Sequence, residues 1–280
     1  MSKIGIIGAG ILGQTQKRWL LDHTNNEVLV YDLDNGLSNS TFASVAKHAD
    51  VFILCLPTPG NKIGELDTRI IEEAIKKINQ DSTGHKIVVI RSTVPVGFTN
   101  QMASRYPNLY FYFVPEFLTE KTAAEDFNEG KKFIIGSKDD DVMSPEIAQI
   151  LRLFPHPQKI ISVKWEVAET LKLATNSFYA MKVIFANQLA QFCGIFDIDY
   201  NRLRYLLSIN PRIGSCNEDN QGRDVHLRIA QDGEKGYGGK CLPKDTAQLA
   251  TQMENVGIKN NLLSNVSEIN KVIKSQYAKH

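Results

Sequence analysis

The run Lys3-Ile4-Gly5-Ile6-Ile7-Gly8, continued by Ala9-Gly10-Ile11-Leu12-Gly13, leaves this chain few ways to begin a fold. The apolar residues read as a short buried strand. Three glycines spaced G-x-G-x-x-G then open a helical pattern that runs to about Leu21. In this arrangement the first glycine makes the turn, the second lets a pyrophosphate approach the backbone, and the third lets the helix pack on the strand. The unpaired N–H groups of the helix N-terminus face the phosphates. An ordinary βα turn can carry the same spacing, so the context matters. A second strand, Glu27–Tyr31, ends at Asp32, nineteen residues after Gly13. A carboxylate there accepts hydrogen bonds from the adenosine ribose and repels a 2′-phosphate, which favours NAD over NADP. Gly8, Gly10, Ile11, Leu12, Gly13 and Asp32 are the expected cofactor residues.

More βα units follow. Strands are expected at Val51–Leu56, Lys86–Ile90, Leu109–Val114 and Lys132–Gly136, with a helix at Asp67–Asn79. The alternation implies an α/β fold with a Rossmann-like, doubly wound parallel sheet over residues 1–160. Only a short segment separates Asp32 from Val51, so no full crossover helix is expected there. Ligands of such sheets bind beyond the carboxyl ends of the strands. Thr58, Thr93, Glu116 and Glu120 fall at those ends. Thr58 and Thr93 read equally well as helix caps. Glu116 and Glu120, four residues apart, can share a helical turn and face one site.

From about Lys164 the pattern turns helical, giving a second, helical domain over 161–280. Val167, Leu171, Ala174, Phe178, Met181, Phe185, Leu189 and Phe192 form one stripe along residues 164–193. A helix this long is a domain spine or a dimer seam. Lys172 and Asn176, at i and i+4, point the same way; they are either a solvated pair or a cation and an amide donor for a developing oxyanion. Further helices are expected at Asp199–Ser208, Pro243–Val256 and Asn260–Tyr277. A long polar loop, 210–235, leads into Gly236-Tyr237-Gly238-Gly239-Lys240-Cys241-Leu242-Pro243-Lys244-Asp245. The glycines permit close approach of a ligand, and Pro243 suits the first turn of a helix. Cys241 at that helix start is placed to favour its thiolate, and Asp245 follows one helical turn later.

Composition narrows the class. The 280 residues are 42% hydrophobic and 22% charged, with a net charge of +1. That balance gives no argument for nucleic acid or an anionic membrane as partner. Cys55, Cys193, Cys216 and Cys241 show no metal-ligand spacing, so no metal is expected. No signal peptide or bilayer-length apolar stretch is read, and a reduced, cytoplasmic protein is expected.

Taken in order, Gly8–Gly13, Ser92-Thr93-Val94-Pro95-Val96-Gly97, Pro115-Glu116-Phe117-Leu118, the Lys172–Asn187 helix and Gly236–Asp245 resemble the UDP-glucose 6-dehydrogenase family of nucleotide-sugar dehydrogenases. The resemblance covers nearly the whole chain. It implies NAD-dependent oxidation of a sugar primary alcohol to a carboxylate, in two hydride transfers, through a cysteine thioester. It makes Cys241 the nucleophile and Lys172 and Asn176 the stabilisers of alkoxide and oxyanion. By the same resemblance Asp245 positions water and the lysine, Thr93 holds water near the sugar carbon, and Glu116 is the base for thioester hydrolysis. Glu120 is placed between nicotinamide and sugar. Phe117, Leu118, Tyr237, Gly238 and Gly239 are implied to cradle the sugar nucleotide. Arg212, in Arg212-Ile213-Gly214, is implied to reach a substrate site, with Arg228 as the alternative. The family's long helix forms a dimer interface, so a homodimer through 164–193 is expected.

Members of that family usually continue into a further α/β domain, and this sequence stops after the helix at 260–277. A compact form is expected, with the nucleotide held by other means. UDP-glucose is the substrate expected first, with GDP-mannose or a UDP-N-acetylhexosamine as alternatives. Two other readings stand beside it: an NAD-binding product of a split gene that needs a partner chain, and a β-hydroxyacid-type dehydrogenase that needs no cysteine.

Overall fold

The structure, a computed structural model, describes residues 2–118, 122–129, 132–140, 144–210, 213, 225–230 and 234–277, without the side chains of Val225 and Tyr277. The chain divides into two compact units. The first comprises residues 1–59 and 66–172, and the second residues 60–65 and 173–280.

The first unit is built on a seven-stranded sheet. Its strands are β1 (Lys3–Ile7), β2 (Glu27–Tyr31), β3 (Val51–Leu54), β4 (Lys86–Ile90), β5 (Leu109–Phe113), β6 (Lys132–Ser137) and β7 (Lys159–Lys164), in the order β2-β1-β3-β4-β5-β6-β7. Alternate residues of each central strand serve opposite faces. Val51 and Ile53 of β3, with Ile87 and Val89 of β4, enter one core cluster. Phe52, Leu54, Val88 and Ile90 enter the other. A strand buried on both faces must be apolar throughout, and β3 is.

Helices cover both faces. Trp19 and Leu20 of α1 (Ile11–His23), Phe127 of α5 (Ala123–Asn128) and Ile147 and Ile150 of α6 (Pro145–Leu151) fill the first cluster. On the other face lie α2 (Phe42–His48), α3 (Arg69–Asp81) and α4 (Phe98–Arg105), joined by Trp165 and Ala168 from the start of α7 (Trp165–Ile195). The buried side of α3 is Ile71, Ala74, Ile75 and Ile78, the spacing of one helical face. The expected short segment after Asp32 holds only the seven-residue α2, capped by Thr41, whose side chain accepts the Ser44 N–H.

One departure from the all-parallel expectation stands at β6, which runs antiparallel to β5 and meets it only at Phe113 and Gly136. Among the described residues, the six-residue α5 lies between the strands. A parallel neighbour needs a crossover back to the amino end of β5, whereas β6 pairs with its carboxyl end and runs back. Strand β7, parallel to β6, was not expected from the sequence. Its residues are exposed or half-buried on both faces, so no alternation marks it.

The second unit is helical. It takes α7 from Leu173 onward, α8 (Tyr200–Ser208), α9 (Leu242–Asn255) and α10 (Leu262–Tyr277). Ala180, Ile184, Tyr237, Val266 and Ile273 form its core. Asp199 caps α8, accepting the N–H groups of Asn201 and Arg202. Among the described residues, no helix is long and apolar enough to cross a membrane.

The α1 turn shows why the glycine spacing is restrictive. A Cβ at Gly13 would overlap the Gly8 carbonyl oxygen, whereas a Cβ at Gly10 would meet nothing within 4 Å. Gly13→Ala should therefore cost about 3 kcal/mol, the upper part of the overpacking range, because the obstacle is backbone. Gly10→Ala should cost under about 1 kcal/mol, as an N-cap change in open space. Urea denaturation of the two variants checks this, and equal losses would contradict it.

Candidate active site

In the first unit, the β1–α1 turn is drawn together by Asp32. Its carboxylate accepts the Ala9 N–H at 2.6 Å and the Asp34 N–H at 2.9 Å, while the Gly8 N–H reaches the Tyr31 carbonyl at 2.9 Å. Each carboxylate oxygen retains a lone pair for a further donor. Gly8 has φ of 94°, a conformation that favours glycine. Gly10 caps α1 without a side-chain hydrogen bond, and no acid lies in the first turn. The first N–H groups of α1 are thus open to an anion. Ile11 is exposed and Leu12 half-buried beside them. An open Gly10, a closed Gly13 and an acceptor at Asp32 fit a dinucleotide.

The next strand ends are cross-tied. Thr58 is buried, and its hydroxyl donates to the Thr93 carbonyl at 2.7 Å. The Ser92 hydroxyl accepts the Leu56 N–H at 2.8 Å. Thr93 itself is half-buried.

Lys172 lies in the same unit and is 4% exposed. Its ammonium donates to the Glu116 carbonyl at 2.7 Å and to the Glu116 carboxylate at 3.1 Å. The other carboxylate oxygen accepts the Leu118 N–H at 2.9 Å, and the ammonium lies 5.6 Å from the centre of the Phe117 ring. Glu116, Phe117, Leu118 and Lys172, predicted separately, are thus brought together. Beside them a cleft is lined by Arg91, Glu116, Phe117, Leu118, Phe127 and Phe154, among others. Arg91 is buried between the Phe127 and Phe154 rings and donates to Gln16 at 2.8 Å. Burial pushes the Cys55 thiol up to about 12, against the pull of Arg91, which disfavours its thiolate.

In the second unit, Cys241 is exposed and stands at the N-cap of α9, with Pro243 in the first turn. One turn on, Asp245 is fully buried. Its carboxylate accepts from the Asn176 amide at 2.5 Å and from the Lys244 ammonium at 2.7 Å. Asn176 and Asp245 are therefore held as a pair.

The glycine loop ahead of Cys241 is fixed by side chains from elsewhere. Asn270 of α10 accepts the Tyr237 N–H at 2.8 Å and donates to the Tyr237 carbonyl at 3.0 Å. Asn187 of α7 accepts the Gly236 N–H at 3.2 Å, and the Tyr237 hydroxyl reaches Ser267 at 3.3 Å. Gly236 and Gly239 both take positive φ, and a Cβ at Gly238 would lie 3.2 Å from the Lys274 ammonium. Sequence reasoning assigned no role to Asn270, Asn187 or Arg91. A signal existed for Asn270, which interrupts the buried stripe Leu263, Val266, Ile273 of α10.

Two expected site residues, Glu120 and Arg212, lie outside the described residues. Arg228, the alternative to Arg212, follows a 3-10 turn at Val225–Leu227 whose His226 ring stacks on Tyr179 at 4.0 Å. No group of three or more His, Cys, Asp or Glu able to hold a metal occurs among the described residues.

Residues 27–155 match the NAD binding domain of the UDP-glucose/GDP-mannose dehydrogenase family, and residues 166–272 match the central domain of the same family. The chain belongs to the UDP-glucose/GDP-mannose dehydrogenase family. Its similarity to the UDP-glucose 6-dehydrogenase of Rickettsia typhi is 30% identity over 235 residues, covering 81% of this chain and 50% of that protein. With the UDP-glucose 6-dehydrogenase TuaD of Bacillus subtilis it shares 28% over 311 residues, covering 96% and 63%. The solved UDP-D-ManNAc dehydrogenase of Pyrococcus horikoshii superposes with a TM-score of 0.80 at 21% identity, covering 99% of this chain and 70% of that one. The chain thus spans half to somewhat under two thirds of the two curated relatives. The family's NAD-binding match starts at the second strand, and the glycine turn before it is supplied by β1 and α1 as described above.

Asn270→Ala would leave the buried Tyr237 N–H and carbonyl unpaired. At about 1–3 kcal/mol for each group, the expected loss is at least about 2 kcal/mol in urea denaturation. Equal stability of wild type and Asn270→Ala would contradict this account of the loop.

Proposed function

We propose that this chain oxidises the primary alcohol of a nucleotide sugar to the carboxylate with NAD, and that UDP-glucose, giving UDP-glucuronate, is the substrate. Residues 1–160 serve the cofactor, and 161–280 carry the reactive thiol. The observation that carries the reading is the exposed Cys241 at a helix start, with the buried Asp245, held by Asn176 and Lys244, one turn behind it. The named relatives and the Phe117-Leu118 pair after Glu116 support UDP-glucose over other sugars.

Gly8, Gly10, Gly13 and Asp32 would hold NAD, with Thr58 and Thr93 at the strand ends, and the cofactor would supply hydride-acceptor chemistry. Cys241 captures the aldehyde carbon as a thiohemiacetal, since a thiolate is a strong nucleophile, and loss of that carbon's hydride to NAD and of the hydroxyl proton would give the thioester. Lys172 and Asn176 stabilise the negative oxygen that forms. Glu116 takes a proton from the water that releases the thioester, and Thr93 and Asp245 orient that water. Phe117, Leu118, Tyr237, Gly238 and Gly239 hold the sugar nucleotide, with Glu120 and Arg212 reaching it.

NADH formation with NAD and a panel of UDP-glucose, GDP-mannose and UDP-N-acetylhexosamines tests the reading. The expected result is two NADH for each UDP-glucose consumed, and a loss of about a thousandfold or more in Cys241→Ser. Binding of NAD with no turnover or binding of any sugar would favour a chain that needs a partner. Full two-step turnover by Cys241→Ser would favour a hydroxyacid-type enzyme.

We also propose a homodimer through α7. Phe178, Phe185 and Phe192 are each more than half exposed and recur every seven residues, the repeat of a helix seam. Three exposed phenylalanines in line are better covered by a second copy than by water. Sedimentation equilibrium should give a dimer for the wild type and a monomer for Phe185→Glu; a monomeric wild type would refute the assignment.

A further inference from the structure

Glu169 is fully buried, lies one position short of a helical turn before Lys172, and belongs with it to the first unit. A buried carboxylate must be satisfied. This one accepts the Gly97 N–H at 2.6 Å, the Thr99 N–H at 2.9 Å and the Thr99 hydroxyl at 2.6 Å. Those donors are at the largely buried N-terminus of α4, where Gly97 stands in the left-handed region at φ of 92°. A second tie runs alongside, from the Asn100 amide to the Glu166 carboxylate at 3.1 Å. Gly97 ends the loop that begins at Arg91 and carries Thr93. The start of α7, which presents Lys172 to Glu116, is therefore fastened to the far end of the Thr93 loop.

We propose that Glu169 is a positioning residue that sets the Thr93 loop in register with Lys172. The inference rests on the proposed dehydrogenase reading for its catalytic consequence, and on hydrogen bonds alone for the tie. A cap needed only for helix stability could be a Ser or Asp at the N-cap itself. Here the N-cap is a glycine, and the acceptor comes from a chain position some seventy residues away. Burial pushes the Glu169 carboxyl up to about 7, against the pull of the Thr99 and Gly97 donors and with Glu166 adding to the rise. The ionised form can accept from all three donors. The protonated form turns one oxygen into a donor, which competes with them.

Two readouts separate this from a purely structural role. Hydrogen–deuterium exchange across residues 91–99 should rise at least tenfold in Glu169→Gln and Thr99→Val, and stay near wild type in Thr99→Ser, which keeps the hydroxyl. In turnover, Glu169→Gln and Thr99→Val should lower kcat at least tenfold with the KM for NAD changed less than twofold, while Thr99→Ser retains kcat. The rise of kcat with pH near 7 should flatten in Glu169→Gln. Unchanged exchange over 91–99 in a folded Glu169→Gln or Thr99→Val overturns the proposal, as does a kcat within twofold of wild type. If the wild type turns over no nucleotide sugar, the functional reading fails while the exchange result still decides the tie. If Glu169→Gln does not fold, the Thr99 pair decides both.

Discussion

A buried ammonium organises one end of the first unit. Lys172 cannot sit 4% exposed without partners, since an isolated charge taken from water costs several kcal/mol even after relaxation. It finds both a carbonyl and a carboxylate on one residue, Glu116. That double contact fixes the backbone just past β5 as well as the side chain. The remaining Glu116 oxygen is taken by the Leu118 N–H, so Glu116, Phe117 and Leu118 form one braced turn. A cation held this way is preorganised. Its charge is already desolvated, and a negative oxygen that approaches it meets a strong, fixed donor.

Long helix α7 carries apolar residues on its buried side and a second apolar stripe on its exposed side. Val167, Leu171, Phe178, Phe185 and Phe192 are exposed, while Glu169, Lys172, Asn176, Ser177 and Asn187 are buried alongside the apolar Trp165, Ala168, Leu173, Ala180 and Ile184. Hydrophobic periodicity was therefore a sound guide to the existence of the helix, while the polar residues it buries carried no periodic signal. The polar residues are affordable inside because each has a partner: Gly97 and Thr99 for Glu169, Glu116 for Lys172, Asp245 for Asn176, the Leu173 carbonyl for Ser177 and the Gly236 N–H for Asn187.

The legible parts of the sequence were those governed by local rules. Strands β1 to β5, the glycine turn, α3 and α7 to α10 follow from apolar runs, helical period and glycine spacing, and the structure places them within two or three residues of expectation. The direction of β6 was not legible, because it depends on where the 114–131 connection ends in space. Strand β7 was not legible because it lies at the sheet edge with neither face fully buried. In the candidate site, the chemically distinctive residues Cys241, Lys172, Glu116 and Asp32 could be picked from type and spacing. Asn270 was marked only as a polar break in a buried stripe, and Glu169 not at all, because their partners are backbone groups 33 and 70 or more residues away.

Those distant partners share one physical logic. Asp32 grips the Ala9 N–H, Glu169 the Gly97 and Thr99 N–H groups, and Asn270 both polar groups of Tyr237. In each case a side chain from another element holds the main chain of a loop that contains glycine. Glycine makes such a loop able to approach a ligand closely, but it also gives the loop the most conformational freedom to lose. A side-chain acceptor removes that freedom during folding rather than at the moment of binding. The ordering cost is then met by the stability of the fold, and the ligand encounters backbone already in place. The anchors Asp32, Glu169 and Asn270 all carry oxygens that accept from backbone N–H groups, which the donor-only heads of lysine and arginine cannot do.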